Sequence, residues 1–403
     1  MFKTITEGSA KLNVPVNETI SRKLEVFYNP VMKFNRDTTV LFLESLSQKD
    51  LLIADIMAAS GVRSIRLLKE LKSSTVKTII INDLDAKAVE HARKNLELNN
   101  LEKDKRIIIE NRDANKLLHD SRKFDYIDID PFGSPNPFLD SSMQRIKRGG
   151  ILGVTATDTG ALAGAFKEAG IRKYWAVPLR NDYMHETGLR ILIRKVQLSA
   201  SQYDLAAIPL LSYYKDHYLR AFFIMKNGSG AADDILKQHN YIHFCRKCLQ
   251  TSVSKKATSK KESKESAKKC TCKNEMETAG PVWTGSLGDK NIVKKMISIC
   301  KDDKLIKFLS ILEQEYSAKA ESKTSGRSPD SIVGFYDMHS ITKHHKLKDI
   351  PKTSAVFEAI RKLGGKSDSK KDKNIVSPSH ISGTAVKTNL NVKDFLKIIK
   401  KLK

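Results

Sequence analysis

Between residues 38 and 228, short runs of apolar and β-branched residues alternate with segments whose apolar residues recur at helical spacing. This alternation is typical of a mostly parallel sheet, because parallel strands need a crossover connection, usually a helix, between them. The runs predicted to be its strands cover residues 51–57, 76–83, 106–113, 123–130 and 149–158. The pattern therefore predicts an α/β domain in which a mostly parallel sheet is covered by helices.

The rest of the chain predicts an edge hairpin and a second domain. Residues 205–227 predict two strands around a turn, which suit an antiparallel hairpin at the edge of the sheet. From about residue 235 onward, amphipathic patterns at 292–316 and 353–365 predict the helices of a smaller α+β domain. Two domains are expected because 403 residues exceed the usual size of a single core.

The composition is strongly basic and gives no sign of a membrane segment. Lys and Arg number 71 against 46 Asp and Glu, and the net charge of +25 favours nucleic acid as a partner, with a general lysine excess as the alternative. No apolar run approaches the roughly 20 residues that cross a bilayer, and the N-terminus has no secretory signal. We expect a cytoplasmic protein, or a nuclear one in a eukaryote. Nothing implies a protein partner, and a monomer is expected.

The first predicted strand leads into a turn that suits a bound ligand. Asp55 lies inside this strand, and a turn of small residues that includes Gly61 precedes the next helix. Small residues let the backbone approach a ligand closely. A single glycine is a weak signal for a phosphate-binding loop, which needs more glycines.

Acidic residues also follow the next two predicted strands. Asp83 ends the second strand, where a carboxylate can accept two hydrogen bonds from a ribose diol. The third strand ends at Asp113 and Ala114, where a carboxylate and a backbone amide can hold an adenine edge. The alternative is that each acid only caps the helix that follows it. Together, these acids predict a cleft for S-adenosylmethionine. Its sulfonium is cationic, so a cleft rich in carboxylates favours it over NAD or ATP.

The segment DIDPFGSP, residues 128–135, places an acid, two prolines and an aromatic ring at the end of the fourth strand. An exocyclic amine of a base is a poor nucleophile, so methyl transfer needs hydrogen-bond acceptors on the amine and placement in line with the sulfonium. Asp130 and the carbonyl of Pro131 are the predicted acceptors. Phe132 offers a face on which an extruded base can stack. The alternative is a tight turn whose phenylalanine packs in the core.

The order of these motifs resembles that of a known family. They are FYNPVMKFNRD (27–37), DIMAASGVRSIR (55–66), NDLD (82–85), RDAN (112–115) and DPFGSP (130–135). Downstream, GPVWTGSL (280–287), FYDMH (335–339) and SPSHISGTAVKTN (377–389) continue the likeness over nearly the whole chain. This set is similar to that of the tRNA guanine N2-dimethyltransferases, which modify the guanosine at position 26.

The resemblance implies a Rossmann-like class I methyltransferase sheet (41–230), an N-terminal segment (1–40) that contributes to the cofactor site, and a C-terminal tRNA-binding domain (235–403). It implies that Arg36 reaches the cofactor and that Arg63 belongs to the cofactor turn. It also implies that two methyl groups are added one after the other, through a monomethyl intermediate.

Two other functions remain open at this point. The same chemistry could act on guanine N2 of ribosomal RNA or adenine N6 of DNA, although those groups usually carry a second proline where Phe132 stands here. The chain could also be a catalytically inactive, zinc-stabilised RNA-binding module. The acids Asp83, Asp113 and Asp130 argue against that interpretation.

A cysteine cluster predicts a structural zinc site. HFCRKC and CTC contain four cysteines in two close pairs, Cys245, Cys248, Cys270 and Cys272. Four thiolates suit tetrahedral zinc, although the second pair is separated by one residue instead of the usual two. His243 is an alternative fourth ligand, and Cys300 is expected to be a core residue.

Basic segments are predicted to contact RNA. Residues 254–269 are rich in lysine and serine and are expected to form a disordered loop. Lysines there, in 343–348 and in 397–403 are candidate phosphate contacts. In the segment 377–389, His380, Thr384 and Lys387 combine small hydrogen-bond donors with a cation, and we predict that they bind the RNA backbone.

Overall fold

The computed structural model describes residues 2–15, 27–254, 269–320, 330–364 and 374–402. Most of the predicted lysine-rich loop lies outside these ranges, as does all of a second basic, serine-rich tract at residues 366–373. No helix in the described part of the chain is long and apolar enough to span a membrane.

A hairpin of two strands, β1 (Phe2–Glu7) and β2 (Ala10–Pro15), opens the chain. The sheet that follows has seven strands, β3 (Leu51–Asp55), β4 (Val76–Asn82), β5 (Ile107–Glu110), β6 (Phe124–Ile129), β7 (Ile146–Ala156), β8 (Leu205–Lys215) and β9 (Tyr218–Asn227). Their spatial order is β5-β4-β3-β6-β7-β9-β8. Strands β3 to β7 are parallel, and β8 and β9 form an antiparallel hairpin at one edge. The predicted parallel sheet and edge hairpin are thus confirmed.

Helices connect these strands. They are α1 (Lys33–Leu46), α2 (Val62–Glu70), α3 (Ala86–Glu97), α4 (Ala114–Asp120), α5 (Asn136–Arg145), α6 (Thr159–Leu162), α7 (Lys167–Tyr174) and α8 (Met184–Ser201). Strand β5, the third strand predicted for the sheet, is shorter than predicted and ends at Glu110. Its predicted last residues form a loop instead, because Asn111 donates to the Asp83 and Leu84 carbonyls and Asp113 caps α4.

The C-terminal part has small sheets and helices, as predicted. Its strands are β10 (His239–Phe244), β11 (Thr251–Ser254), β12 (Glu277–Trp283), β13 (Lys319–Ala320), β14 (Asp330–Ser331), β15 (Tyr336–Asp337), β16 (Val376–Ser379) and β17 (Ser382–Thr388). Its helices are α9 (Ser229–Leu236), α10 (Lys290–Ile299), α11 (Asp303–Ser317), α12 (Met338–His344), α13 (Thr353–Gly364) and α14 (Val392–Lys401). The predicted helical run 292–316 is two helices, because Asp302 caps α11 at its start.

Two clusters of buried apolar side chains stabilise this arrangement. The larger cluster surrounds the seven-stranded sheet and includes Val293 of α10 and Leu309 of α11. The smaller one joins the sheet of β15, β17 and β16 to helices α12 to α14 and includes Met338 and Val386. The core of the large sheet therefore extends past residue 235, and the domain boundaries inferred from the sequence stay a prediction.

Candidate active site

The acids predicted to form a ligand cleft lie along one edge of the sheet. Asp55, Asp83 and Asp113 end or follow strands β3, β4 and β5, and Asp130 follows β6. These four strands are neighbours in the order β5-β4-β3-β6 and run parallel. Their carboxyl ends therefore meet at a single edge, which is where open α/β sheets bind ligands.

The turn after β3 is held by hydrogen bonds to two of these acids. The Ser64 hydroxyl donates to Asp55 at 2.7 Å, and the Ala59 amide donates to Asp83 at 2.8 Å. Gly61 has φ of 74°, and a Cβ there would lie 3.1 Å from that of Ala92, so this position favours glycine. Burial raises the pKa of Asp55 to about 7; Arg63 opposes this rise and Asp128 adds to it. The Asp55 carboxyl thus titrates near neutral pH.

Asp83 and Asp113, the other two acids predicted to bind the cofactor, differ in their local roles. Asp83 accepts the Ala59 and Asp85 amides, and burial raises its pKa. Asp113 caps α4 by accepting the Lys116 amide at 3.0 Å. The helix-cap alternative is thus correct for one oxygen of Asp113, while Asp85 rather than Asp83 caps α3. A carboxylate has about four lone-pair sites, so both acids keep acceptor capacity.

The predicted catalytic turn is fixed by its backbone. Gly133 adopts φ of 92°, its amide donates to the Thr157 hydroxyl at 2.7 Å, and its carbonyl accepts the Thr157 amide at 2.9 Å. Phe132 is 42% exposed, so it is not the core residue of the alternative interpretation. The ring of Phe27 lies edge-on to it, with centroids 4.1 Å apart. Sequence reasoning missed this partner, although Phe27 opens the FYNP motif.

Arg63 connects the two halves of the site. Its guanidinium donates to Asp130 and, at 3.1 and 2.9 Å, to Asn35 and Thr39 of α1. The side chain is buried. Arg63 thus orients the Asp130 carboxylate from beneath, a role that its place in the cofactor turn did not reveal.

A second buried layer below Asp130 was also missed. Asp128 forms an ion pair with Arg220 of β9 at 2.6 Å and accepts a hydrogen bond from Tyr126. Burial would raise the pKa of Asp128, but Arg220 and Arg63 hold it below its ordinary value. A Cβ on Gly153 would lie 2.7 Å from the Tyr126 hydroxyl and 2.8 Å from Arg220, so the sheet leaves room for this layer there.

Arg36, predicted to reach the cofactor, lies against the N-terminal hairpin. Its guanidinium donates to both carboxylate oxygens of Glu7, at 2.7 and 2.6 Å, and Tyr28 donates to the same carboxylate. Burial opposes ionisation of Glu7, but Arg36, Tyr28 and Arg66 lower its pKa to about 2. The contact between Arg36 and the cofactor stays a prediction.

The four predicted cysteines come together. The sulfur atoms of Cys245, Cys248, Cys270 and Cys272 all lie within 4.8 Å of one another. Two turns carry these cysteines. In the first, the Leu249 amide donates to the Cys245 carbonyl, and in the second, the Lys273 amide donates to the Cys270 carbonyl. Leu249 and Lys273 both have positive φ. This set is compatible with tetrahedral coordination, in which sulfurs 2.3 Å from zinc lie about 3.8 Å apart.

The structure differs from two further predictions, those for His243 and Cys300. The ring nitrogens of His243 lie 2.9 Å from the Thr278 hydroxyl and 2.6 Å from that of Ser254, so His243 is not the fourth ligand. Cys300 is half-buried at the end of α10 and packs at the margin of the core.

In the predicted RNA-binding segment 377–389, the structure contradicts the RNA contacts of His380 and Lys387, whereas that of Thr384 stays a prediction. Lys387 is 1% exposed, and its ammonium lies 2.9 Å from Glu186 and 3.0 Å from Glu315. His380 pairs with Glu315 at 2.7 Å, and Thr384 donates to Asp337. An amine buried between two carboxylates cannot reach a phosphate. The segment instead joins the C-terminal part to α8 and α11.

Comparison with known proteins extends these observations over the whole chain. A family model described as N2,N2-dimethylguanosine tRNA methyltransferase matches residues 8–400. The tRNA (guanine(26)-N(2))-dimethyltransferase of Methanobrevibacter smithii is 37% identical, over 100% of this chain and 98% of that protein. The tRNA (guanine(26)-N(2)/guanine(27)-N(2))-dimethyltransferase of Aquifex aeolicus is 35% identical, over 100% and 96%.

A solved structure is similar in fold as well. The complex of Trm1 from Pyrococcus horikoshii with S-adenosyl-L-methionine superposes with a TM-score of 0.80 at 32% identity. The match covers 98% of this chain and 99% of that chain.

Proposed function

The chain belongs to the N2,N2-dimethylguanosine tRNA methyltransferase family, and from that premise we propose how its site transfers methyl groups from S-adenosylmethionine to the N2 amine of guanosine 26 in tRNA. The observation that carries the assignment to particular residues is the row of acids at one sheet edge, which ends in Asp130 beside the exposed Phe132. The tRNA substrate makes the cytoplasm the proposed location.

The acids at the sheet edge are the proposed cofactor site. Asp83 would accept the ribose hydroxyls, and Asp113 with the Ala114 amide would hold the adenine. Asp55, Gly61 and the arginines Arg36 and Arg63 would line the rest of the site. The fit is chemical, because the cations beside Asp55, Asp128 and Asp130 in the described part of the chain are Arg63 and Arg220, and an acid in excess favours a cationic sulfonium. When bound, S-adenosylmethionine supplies an electrophilic methyl group.

Asp130, Pro131 and Phe132 are the proposed catalytic residues. The Asp130 carboxylate and the Pro131 carbonyl would each accept a hydrogen bond from the guanine amine. These bonds would direct the lone pair of its nitrogen at the methyl group. Phe132 would stack on the extruded base, with Phe27 at its edge, and such stacking contributes roughly 1–3 kcal/mol per base. In the first transfer the amine would gain a carbon–nitrogen bond and lose one proton to Asp130, while the sulfonium becomes a neutral thioether. In the second transfer, with a new cofactor molecule, the monomethylated amine has one hydrogen left, which would donate to Asp130 and be lost to it as the second carbon–nitrogen bond forms.

We propose that the four cysteines bind one structural zinc ion. The supporting observation is the set of four sulfurs within 4.8 Å, carried by two turns that each close with a backbone hydrogen bond to the carbonyl of their first cysteine. Zinc would fasten the segment after residue 269 to the turn after β10. The purified protein should contain one zinc per chain by atomic emission, and Cys248→Ser should lose it. Two results together would contradict the assignment: a purified parent protein that contains no zinc, and a Tm of that protein that is the same before and after treatment with a chelator.

The function is tested with unmodified tRNA transcripts that carry G or A at position 26, each with G or A at position 27. The protein is incubated with labelled S-adenosylmethionine, and the products are digested to nucleosides. Dimethylguanosine from every G26 transcript is expected. Label that depends on G at position 27 and not on G at position 26 would place the target at position 27. Label in the transcripts with A at both positions would place it elsewhere in the tRNA. RNA binding without any label would favour an inactive binding module.

A further inference from the structure

Two large aromatic side chains remain exposed beside the proposed site without a role in it. Phe166, just before α7, is 68% exposed, and Trp175, just after α7, is 55% exposed. Helix α7 spans only eight residues, so the two side chains bracket one short helix. We call this pair the lateral platform. Exposed aromatic rings are groups on which nucleic-acid bases stack.

Phe166 is exposed but fixed. Its amide donates to the Gly160 carbonyl at 2.9 Å, and a Cβ built on Gly160 would lie 2.7 Å from its Cδ2 atom. The ring therefore lies directly against the glycine backbone. A ring fixed on one side and open on the other is suited to stacking, because little conformational entropy is lost when a base binds.

Trp175 is held in a conformation that tryptophan rarely adopts. It ends α7 with φ of 52°, in the left-handed region where glycine or asparagine is usual. The Lys195 ammonium lies 3.2 Å from the centre of its ring, and Arg194 donates to its carbonyl. Backbone strain that the surrounding structure maintains is found most often at functional sites.

The platform is connected to the proposed catalytic turn. The Tyr174 hydroxyl donates to Asp158 at 2.6 Å and lies 3.0 Å from the Ser134 hydroxyl. Asn136 donates to the Lys173 carbonyl at 2.7 Å. The C-terminal end of α7, next to Trp175, is thus tied by hydrogen bonds to the segment that carries Phe132.

On its other side, the same segment leads to the cysteine cluster. Val177 and Gly280 exchange two backbone hydrogen bonds, at 2.9 and 2.8 Å. Arg246, which lies between two of the clustered cysteines in sequence, donates to the Arg180 carbonyl. The platform therefore lies on a continuous path from the catalytic turn to the cysteine cluster.

The charges around the platform favour RNA as its occupant. Lys167, Arg172, Lys173 and Arg180 are exposed, against Glu168 and Asp182 among the exposed acids of residues 165–182. Aromatic rings among exposed cations match what single-stranded nucleic acid offers, namely bases to stack and phosphates to neutralise. Building on the proposed function, we propose that Phe166 and Trp175 stack on tRNA nucleotides next to the extruded guanosine and so help to hold the opened strand.

The proposal is tested first by substitution in the full-length protein. Phe166→Ala and Trp175→Asn should each raise the Kd for the tRNA transcript, and the KM for tRNA, about tenfold. The kcat at saturating tRNA and the KM for S-adenosylmethionine should stay unchanged. Asparagine suits the left-handed backbone, so Trp175→Asn should still fold, and Tm should fall only by the loss of the contact with Lys195. Gly160→Ala should weaken binding as Phe166→Ala does, because the new Cβ displaces the ring.

The matched control is Phe2→Ala, which removes an aromatic ring that is 37% exposed outside the platform. It should leave the Kd for tRNA unchanged. Equal weakening by Phe2→Ala, or parental Kd in all three platform variants, would overturn the proposal.

A spectroscopic measurement tests the contact without relying on methyl transfer. Trp175 and Trp283 are the two tryptophans of the chain, and Trp283 is 3% exposed. Acrylamide should therefore quench mainly Trp175, and saturating tRNA should protect it. The signal that remains in Trp175→Phe serves as the baseline.

The outcomes separate this proposal from the proposed function. A parent protein that methylates no guanosine 26 contradicts the proposed function, whereas Trp175 that stays equally accessible with saturating tRNA contradicts the platform. Protection that appears without tRNA and increases with protein concentration would mean that the platform is a self-association surface, which also overturns the proposal.

Discussion

Two buried ionic clusters in this molecule use the same kinds of residue for different purposes. At the sheet edge, Asp128 and Asp130 pair with Arg63 and Arg220, the charge of Arg63 also acts on Asp55, and Asp130 keeps part of its side chain in solvent. In the second cluster, which we call the joint, Glu186 and Glu315 are paired with Arg190, Lys387 and His380. The joint is closed and its acids are all matched by cations. An ionic cluster that is open and has one acid in excess can receive a cation, whereas a balanced and closed one can only hold parts of the chain together.

The largest expected effect is at the open cluster. Asp130→Ala should lower the rate of methyl transfer by about 10²–10⁴-fold, because the amine loses its acceptor. Affinity for S-adenosylmethionine should change little. Single-turnover transfer and equilibrium binding of the cofactor are the two measurements. Asp130→Asn keeps one acceptor oxygen and should lose less activity. Equal loss of transfer and of cofactor affinity in the alanine variant would make Asp130 a cofactor residue.

At the joint, Lys387→Met should lower the free energy of unfolding by about 3–5 kcal/mol, because two buried carboxylates lose their shared partner. Denaturant unfolding measures the change. The control is Lys397→Met, whose ammonium pairs with Asp394 at 3.0 Å on the surface and whose side chain is 75% exposed. It should not change the unfolding midpoint. A joint variant as stable as the control would mean that Lys387 does not fasten the two parts.

A smaller effect should appear as a pH dependence of cofactor binding. Since the pKa of Asp55 is raised to about 7, this carboxyl is protonated and neutral below pH 7 and ionised above it. Affinity for the cationic cofactor should therefore rise about tenfold between pH 6 and pH 8, the effect of one linked proton. Calorimetry at a series of pH values checks this. Asp55→Asn should flatten the profile, and an unchanged slope in that variant would exclude Asp55 as the linked group.

The sheet edge could be predicted from sequence because its signals are local. Each strand is a short apolar run, and its acid comes directly after it, so strand order alone brings Asp55, Asp83, Asp113 and Asp130 together. The four cysteines were predictable for the same reason, since spacing within two short segments defines the pairs.

The joint could not be predicted because its partners are far apart in the chain. Lys387 and Glu186 come from segments that nothing in the sequence pairs, so Lys387 has the pattern of an exposed cation. Helix α8 was missed because it is buried on nearly every side and carries Glu186 and Arg190 inside, which hides its periodicity. Arg220 lies within an apolar strand and gave no signal of its pairing with Asp128.

The ion pair between Asp128 and Arg220 has a consequence for how the protein is made. The two residues are 92 positions apart, and the acid leaves the ribosome first. Until β9 has emerged, Arg63 at 3.6 Å is the cation that remains beside Asp128, and burying a carboxylate that has lost its closer ion-pair partner is costly. We therefore expect the proposed catalytic turn to reach its final arrangement late in translation, and a chain truncated before Arg220 to be less stable than the full chain.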